Sequence, residues 1–364
     1  MKQDIIELKR YRTFDQTIEI AFKFFKKYLK DILVYFWKHN KILITAMFIS
    51  YFLYNYFATL NFNIKDFVRG MQVEEEVPVY QTLINLLYFV LSFVFYIKLM
   101  LTVFGFVKVY VKTPNDVTEE KVTREVSGRF WYYTGASLFL MVMLFILTIG
   151  ATLAYLLLAV LGNVVGIFLG ILFFVIYVIY LITLTNFFYY ILFTEKTDIF
   201  NAFSLAMSYI KERFWYSIGV MLILLATMIF ISLMLNYPMI IYLISKLVLG
   251  IETQDYSTGM QGSILLSAYA TLSFVGENIL RIMLLIGSTA MFYSIRETRT
   301  SEGLFEKIEK IGENSKQTSS VQEQVKNQFH QFGKSFAQDI EKTNEQNPKQ
   351  DQTGYTGDIG EINI

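Results

Sequence analysis

Six times along the chain a run of some twenty apolar positions is followed by a short polar or charged segment. The runs cover residues 42–60, 83–106, 134–161, 164–189 and 217–235, and a sixth lies within 263–296. About 20 residues of helix cross roughly 30 Å of hydrocarbon. The pattern therefore predicts an all-α fold, a polytopic membrane helix bundle of about six transmembrane helices. After the fifth run, Asn236-Tyr237-Pro238 predicts an end or a kink in the helix. Residues 239–249 are apolar but too few to span, and read as a re-entrant or interfacial piece.

Two stretches show helical periodicity with one polar face. From Thr13, the residues Ile18, Phe22, Phe25, Leu29, Leu33 and Phe36 recur at spacings of three or four, with Lys23, Lys26, Lys27 and Lys30 elsewhere on the wheel. Such a basic amphipathic helix either lies in the membrane interface or packs against the bundle. In 197–213, Ile199, Phe203, Met207 and Ile210 share a face, and Thr197 or Asp198 is the expected N-cap. The connection with Asp66, Glu74, Glu75, Glu76 and Pro78 reads as a loop, and Gly162-Asn163 as a tight turn.

The chain thus divides into an N-terminal amphipathic helix (1–41), a six-helix transmembrane domain (42–296) and a Gln-, Asn-, Lys- and Glu-rich tail (297–364) expected to be largely disordered. Within the tail, Val321, Val325, Phe329, Phe332, Phe336 and Ile340 are spaced for a short amphipathic helix that docks on a partner or the membrane, or forms transiently.

Composition agrees. Apolar residues make up 54% of the chain and mean hydropathy is +0.42, above a soluble domain's usual share of about 45–50%. Net charge is only +1, but Lys and Arg are unevenly placed. Ten precede Ile42, five lie in the second connection (Lys108, Lys112, Lys121, Arg124, Arg129) and three in the fourth (Lys196, Lys211, Arg213), whereas alternate connections hold Lys65, Arg69 and Lys246. Positive residues stay inside during insertion, so both termini are expected in the cytoplasm and the protein in the cytoplasmic (inner) membrane. The absence of cysteine excludes disulfides, thiolate nucleophiles and cysteine metal sites.

All three tryptophans sit in aromatic pairs just before outward-going crossings: Phe36-Trp37, Phe130-Trp131 and Phe214-Trp215. The last two extend to Arg129-Phe-Trp-Tyr132 with Gly135 and Arg213-Phe-Trp-Tyr216 with Gly219. Two readings stay open: three parallel repeats of one amphipathic segment plus two crossings, or tryptophan's preference for the headgroup level at each helix entry. Either way Trp37, Trp131 and Trp215 are the interface anchors.

The stretch DIFNAFSLAMSYIKERFWYSIGVML, ending at Leu222, is an amphipathic helix running into a Phe-Trp pair and then an apolar helix. With AMFYSIRETRTSEGLFEKIEKIG (Ala290 to Gly312) and its Glu302-Gly303 pair, it resembles the membrane domain of the glycerophosphoryl diester phosphodiesterase membrane-domain family and its stand-alone bacterial relatives, over about residues 12–312. Fused members of that family hydrolyse substrate in a separate soluble barrel with histidines, carboxylates and a divalent metal. This chain has no room for that barrel and only two histidines, His39 and His330. The resemblance implies the membrane domain without the enzyme.

Candidate chemistry is confined to ionisable groups inside the apolar runs, each of which costs about 2.5 kcal/mol or more unless paired or hydrated. They are Lys98, Glu277 and Arg281, with Asn278 beside them. Glu277 and Arg281, four apart, are placed to pair, and Lys98 to snorkel. These four form the candidate intramembrane polar site, read as structural or as a substrate or proton pathway. The ladder Gly162, Gly166, Gly170 allows close helix packing, within the monomer or between copies. No phosphate loop, zinc-ligand motif or serine elbow occurs, so no enzyme, cofactor or metal is expected. The expected partners are membrane lipids and a protein held through the tail, not nucleic acid. The function expected is a scaffold or accessory factor; the alternative is a transporter or channel for a lipid-related or small polar solute.

Overall fold

The computed structural model describes residues 5–60, 78–160, 164–195, 197–253 and 259–300. The described residues form eight helices: α1 (Phe14–Leu60), α2 (Val79–Lys112), α3 (Glu119–Val126), α4 (Phe130–Val160), α5 (Val164–Thr194), α6 (Ile199–Glu212), α7 (Phe214–Thr253) and α8 (Gly259–Thr300). Six of them, α1, α2, α4, α5, α7 and α8, are long and apolar enough to cross a membrane. The chain is an all-α helical membrane protein. The loop with Glu74 to Glu76, the Gly162-Asn163 turn and the tail with its 321–340 pattern lie outside the described residues.

Helix α8 is the centre of the bundle, packed on α1, α2, α5, α6 and α7. In its most apolar 18-residue stretch 89% of residues are buried, against 17–22% for α4, α5 and α7. Its mean hydropathy there is 1.4, against 2.4–2.8 for those three; α1 shares the value of 1.4 but is 17% buried, so the two differ in packing and not in hydropathy. The physics is consistent: helices facing lipid must be apolar, while a helix enclosed by others can carry small and hydroxyl residues that allow close approach and hydrogen bonding. Accordingly Ser263, Ser267, Ser273, Ser288, Thr289 and Ser294 of α8 are all buried.

The amphipathic N-terminal segment and the first crossing are one helix, α1, interrupted only at Asn40 (φ −128°, ψ 20°). Asn40 Nδ2 donates to the Phe36 carbonyl at 3.2 Å, so a side chain takes up a carbonyl one turn back. Such insertion into the helical ladder is a recognised cause of a bend. Of the two placements open to the amphipathic segment, packing is what occurs. Phe24 stands edge-on to Tyr110 at 5.0 Å, Thr17 Oγ1 is 2.6 Å from Tyr216 Oη, and the Arg12 backbone N–H donates to Ser294 Oγ at 3.1 Å. Arg12 is itself buried, which lowers its pKa, and Nη1 donates to the Leu8 carbonyl at 2.7 Å.

The polar second connection contains the two-turn helix α3. It docks on α2, where a Cβ on Gly105 would come within 2.5 Å of Val126 Cγ2. It also holds the bend of α1, through Lys38 to Glu119 at 2.7 Å and Tyr35 Oη to Thr123 Oγ1 at 3.2 Å. Helix α6 begins after Asp198, as expected, although the Asp198 carboxylate takes the Asn201 amide and caps no backbone N–H.

One expectation is corrected. Pro238 does not end a helix: α7 continues through it to Thr253, so residues 239–249 belong to α7 and are not a separate re-entrant piece. Proline removes an N–H and crowds the preceding turn, and a neighbouring helix can re-satisfy the freed groups. Here α8 braces the turn before Pro238, with Tyr269 Oη and Ser273 Oγ (3.5 Å) donating to the Leu235 carbonyl, next to the Met234 carbonyl that faces the proline ring. Of the two readings of the glycine ladder, packing within the chain is the one seen for its described part: a Cβ on Gly170 would lie 2.8 Å from Tyr155 Cε2 of α4. Gly170→Leu is expected to lower stability by about 1–3 kcal/mol through overpacking. Thermal unfolding in detergent checks this, and Tyr155→Ala in the same chain is expected to recover part of the loss because the two positions are in contact.

Candidate functional site

The candidate polar residues on α8 do not form one cluster. Glu277 and Arg281 are four apart, yet among the described residues no ion pair joins them. Glu277 turns to α7, where Oε1 accepts from Ser232 Oγ at 3.0 Å and Asn236 Nδ2 at 3.3 Å. Ser232 and Asn236 lie one turn apart on the same face of α7, just before Pro238, and Asn236 also holds the Ser232 carbonyl at 2.9 Å. Gly276 permits this closeness, since a Cβ there would be 2.5 Å from Leu235 Cδ1. Arg281 is exposed and its guanidinium lies 6.0 Å from the Tyr96 ring centroid on α2. The expected i,i+4 pair gives way because each side chain finds a partner on a different neighbouring helix.

Lys98 is elsewhere again: its ammonium lies 4.8 Å from the Phe130 ring centroid at the start of α4. An aromatic group flanks the Glu277 site from α1 and α2. Tyr51 stacks on Phe274 at 4.5 Å, and Tyr88 contacts Tyr51 (5.5 Å) and Tyr54 (4.7 Å). This arrangement offers one carboxylate, two neutral donors and nearby tyrosines within apolar helices. It can hold a proton or a cationic group; among the described residues no His, Asp and Glu cluster suited to a metal exists.

Ser232 escaped the sequence reading and Asn236 entered it only as part of the break at Pro238, although two polar residues four apart in an otherwise apolar run were a usable signal. Glu277→Gln keeps an acceptor for both donors and is expected to change stability by less than about 1 kcal/mol. Glu277→Leu takes the acceptor from the Ser232 hydroxyl and leaves Asn236 only the Ser232 oxygens; it is expected to cost about 1–3 kcal/mol, read by thermal unfolding.

Asn278 faces away from that site. It lines an apolar cavity of about 400 Å³ between α1, α2 and α8, together with Phe36, Trp37, Phe48, Phe95 and Ile282. Its Nδ2 donates to the Phe274 carbonyl at 2.7 Å, and its Oδ1 is buried with no partner.

The three anchors share one disposition. Trp37, Trp131 and Trp215 are 54%, 79% and 74% exposed, while Phe36 is buried and Phe130 and Phe214 are half-buried. Exposed tryptophan is the disposition that the expected role at the headgroup level calls for. The arginines before the second and third pairs also act alike. Arg129 donates to the Phe193 carbonyl at 2.9 Å and lies over its ring at 4.6 Å; Arg213 lies 4.5 Å from the Tyr216 ring and donates to Tyr11 Oη at 3.2 Å. The paired glycines differ, for Gly219 is approached by Phe14 while Gly135 has open space.

Beside Arg129 lies a charged cluster the sequence reading missed. Glu125 of α3 reaches Lys112 at 2.7 Å, Lys108 at 3.0 Å and Arg129 at 3.5 Å. Only the Glu125–Arg129 spacing was visible along one segment; the lysines come from α2. Comparison of the chain with family models, with characterised proteins and with solved structures finds no match.

Proposed function

We propose that the chain is a multi-pass protein of the cytoplasmic membrane, with both termini in the cytoplasm, that acts as a non-enzymatic scaffold or accessory factor. The observation that carries this reading is the fixing of amphipathic segments onto the bundle. The N-terminal part of α1, α3 and α6 are tied to the long helices by buried contacts such as Thr17–Tyr216, Arg12–Ser294 and Phe292–Tyr209 (ring centroids 5.4 Å). They leave polar faces outward on the Lys- and Arg-rich side of the chain. A rigid polar platform joined to a long hydrophilic tail suits recruitment better than chemistry. The resemblance to a phosphodiesterase membrane domain, without its barrel, agrees with this reading.

Detergent-solubilised affinity purification with mass spectrometry tests it, using the full chain and a truncation ending at Ser301. A stoichiometric protein lost on truncation is expected. A monodisperse chain without any partner contradicts the scaffold.

The Glu277 site favours a second reading, transport of a lipid-related or small polar solute. On that reading Glu277→Gln and Arg281→Gln reduce solute flux in proteoliposomes; flux unaffected by both removes it.

A further inference from the structure

Arg281 stands near the midpoint of α8, with about 30 Å of helix on either side. Its neighbours Leu280 and Ile282 are buried, yet Arg281 itself is exposed, so its side chain meets open space beside the most enclosed helix of the bundle. A cation inside a membrane-crossing helix is costly unless it is paired or hydrated. Among the described residues no carboxylate pairs with Arg281, and what it contacts is the Tyr96 ring of α2 at 6.0 Å. A ring face attracts the cation but leaves the five N–H donors of the guanidinium without an oxygen acceptor.

The groups beside it are donors as well. Tyr88 and Tyr96 of α2 both lie within electrostatic reach of Arg281 and are half-buried. Among the described residues neither hydroxyl is hydrogen-bonded, and neither is closed off from the surface. The acceptor nearest along α8, Glu277, is already taken up by Ser232 and Asn236 of α7. One guanidinium and two phenols thus form an accessible patch rich in donors and short of an acceptor, the complement of an oxyanion. Glu277 also acts on Tyr88 through its charge. A second negative charge on the ligand would be repelled there, which favours a singly charged group over a dianion.

We propose that Arg281, with the Tyr88 and Tyr96 hydroxyls, binds a singly charged oxyanion such as a phosphodiester, whether it belongs to a phospholipid headgroup or to a free solute. The inference rests on the transport reading of this region and names the charge of what is carried.

The full-length chain in a neutral maltoside detergent is titrated by calorimetry with three probes. They are diethyl phosphate, dihexanoylphosphatidylglycerol, which carries the same charge on a short-chain lipid, and triethyl phosphate, which is uncharged. Saturable binding of at least one of the two anions is expected, with triethyl phosphate tenfold or more weaker, the worth of a charge-assisted hydrogen bond. A tenfold preference for the lipid assigns the headgroup; equal affinities assign the free solute. Arg281→Gln is expected to lose tenfold or more, and Arg281→Lys to lose less because it keeps the charge without the planar fork. Tyr96→Phe, which keeps the ring and removes the hydroxyl, is expected to lose about threefold. Lys246→Gln, which removes a cation of α7, is expected to bind as the parent does. No saturable binding of either anion, triethyl phosphate as tight as the anions, or parent affinity in Arg281→Gln overturns the proposal. Calorimetry reads binding and not passage, so the two failures stay apart: binding without flux removes the transporter and leaves the site, whereas flux without oxyanion binding removes the site and leaves the transporter.

Discussion

Glu125→Ala is expected to lower the unfolding free energy of the detergent-solubilised chain by about 2–3 kcal/mol, somewhat below the 3–5 kcal/mol for breaking a fully buried pair because solvent reaches the carboxylate. The reason is convergence. One carboxylate on α3 neutralises Lys108 and Lys112 of α2 and Arg129 at the entry to α4. Lys108 and Arg129 in turn hold the last turn of α5 through the Phe193 carbonyl, at 3.1 and 2.9 Å. Removing Glu125 leaves Lys108, whose side chain is 13% exposed, next to two other cations. Four helices lose a shared tie. Thermal unfolding at neutral pH reads the loss.

The same cluster predicts an acid dependence. Burial by itself raises the Glu125 pKa, but the hydrogen bonds and charges of Lys112 and Lys108 outweigh it and hold the carboxyl at about 2 instead of the ordinary 4.5. A carboxylate with a depressed pKa contributes stability that is fully present above the unfolded value and is lost as pH falls through the folded one. The parent chain is therefore expected to lose this stability between about pH 4.5 and 2. Glu125→Gln lacks that component throughout, so parent and variant converge in acid. A constant gap between them down to pH 2 would contradict the assignment.

The second large effect is expected from Gly287→Leu on α8. A Cβ at this position would lie 2.3 Å from Leu224 Cδ1 of α7. Leu224 is fully buried, and so are its surroundings Met221 and Ile286. Alanine is accommodated if the Leu224 rotamer yields, but leucine must displace the helix itself. Overpacking of this kind costs about 1–3 kcal/mol and occasionally more. The neighbouring α5–α8 ties, Asn186 Nδ2 to Ser288 Oγ at 3.1 Å and Tyr190 Oη to Tyr293 Oη at 2.8 Å, depend on the same approach. Gly287→Ala is expected to unfold near the parent temperature and Gly287→Leu well below it. Similar midpoints for both would show that α7 and α8 are not closely packed there.

Much of the architecture was legible because it rests on local quantities. Length and hydropathy identify the six long helices, and the 3.6 period identifies α6 and the start of α1. Even the centrality of α8 had a sequence trace, in its serines. What was hidden depends on pairs far apart in the chain. Pro238 stays within α7, where Tyr269 and Ser273 of another helix brace the turn before it through the Leu235 carbonyl, a contact that no local rule contains. Glu277 and Arg281 obey i,i+4 spacing but respond to Ser232, Asn236 and Tyr96 instead. Asn40 reads as an ordinary polar residue at a helix boundary, yet its bond to the Phe36 carbonyl bends α1. Asn278 was singled out as a neighbour of Glu277; in the folded chain Glu277 turns to α7 and Asn278 to the cavity lined by α1 and α2.

The chain has no cysteine, which makes single-cysteine labelling with a membrane-impermeant maleimide the most direct measurement of the central claim: six crossings with the amphipathic segments on the cytoplasmic side. Single cysteines replace Arg69, Asp116, Glu212 and Gln254 in sealed right-side-out vesicles. Arg69→Cys and Gln254→Cys are expected to react at once, whereas Asp116→Cys and Glu212→Cys react only after the vesicles are opened. Labelling of Asp116→Cys from outside, or equal labelling of all four, would contradict that topology.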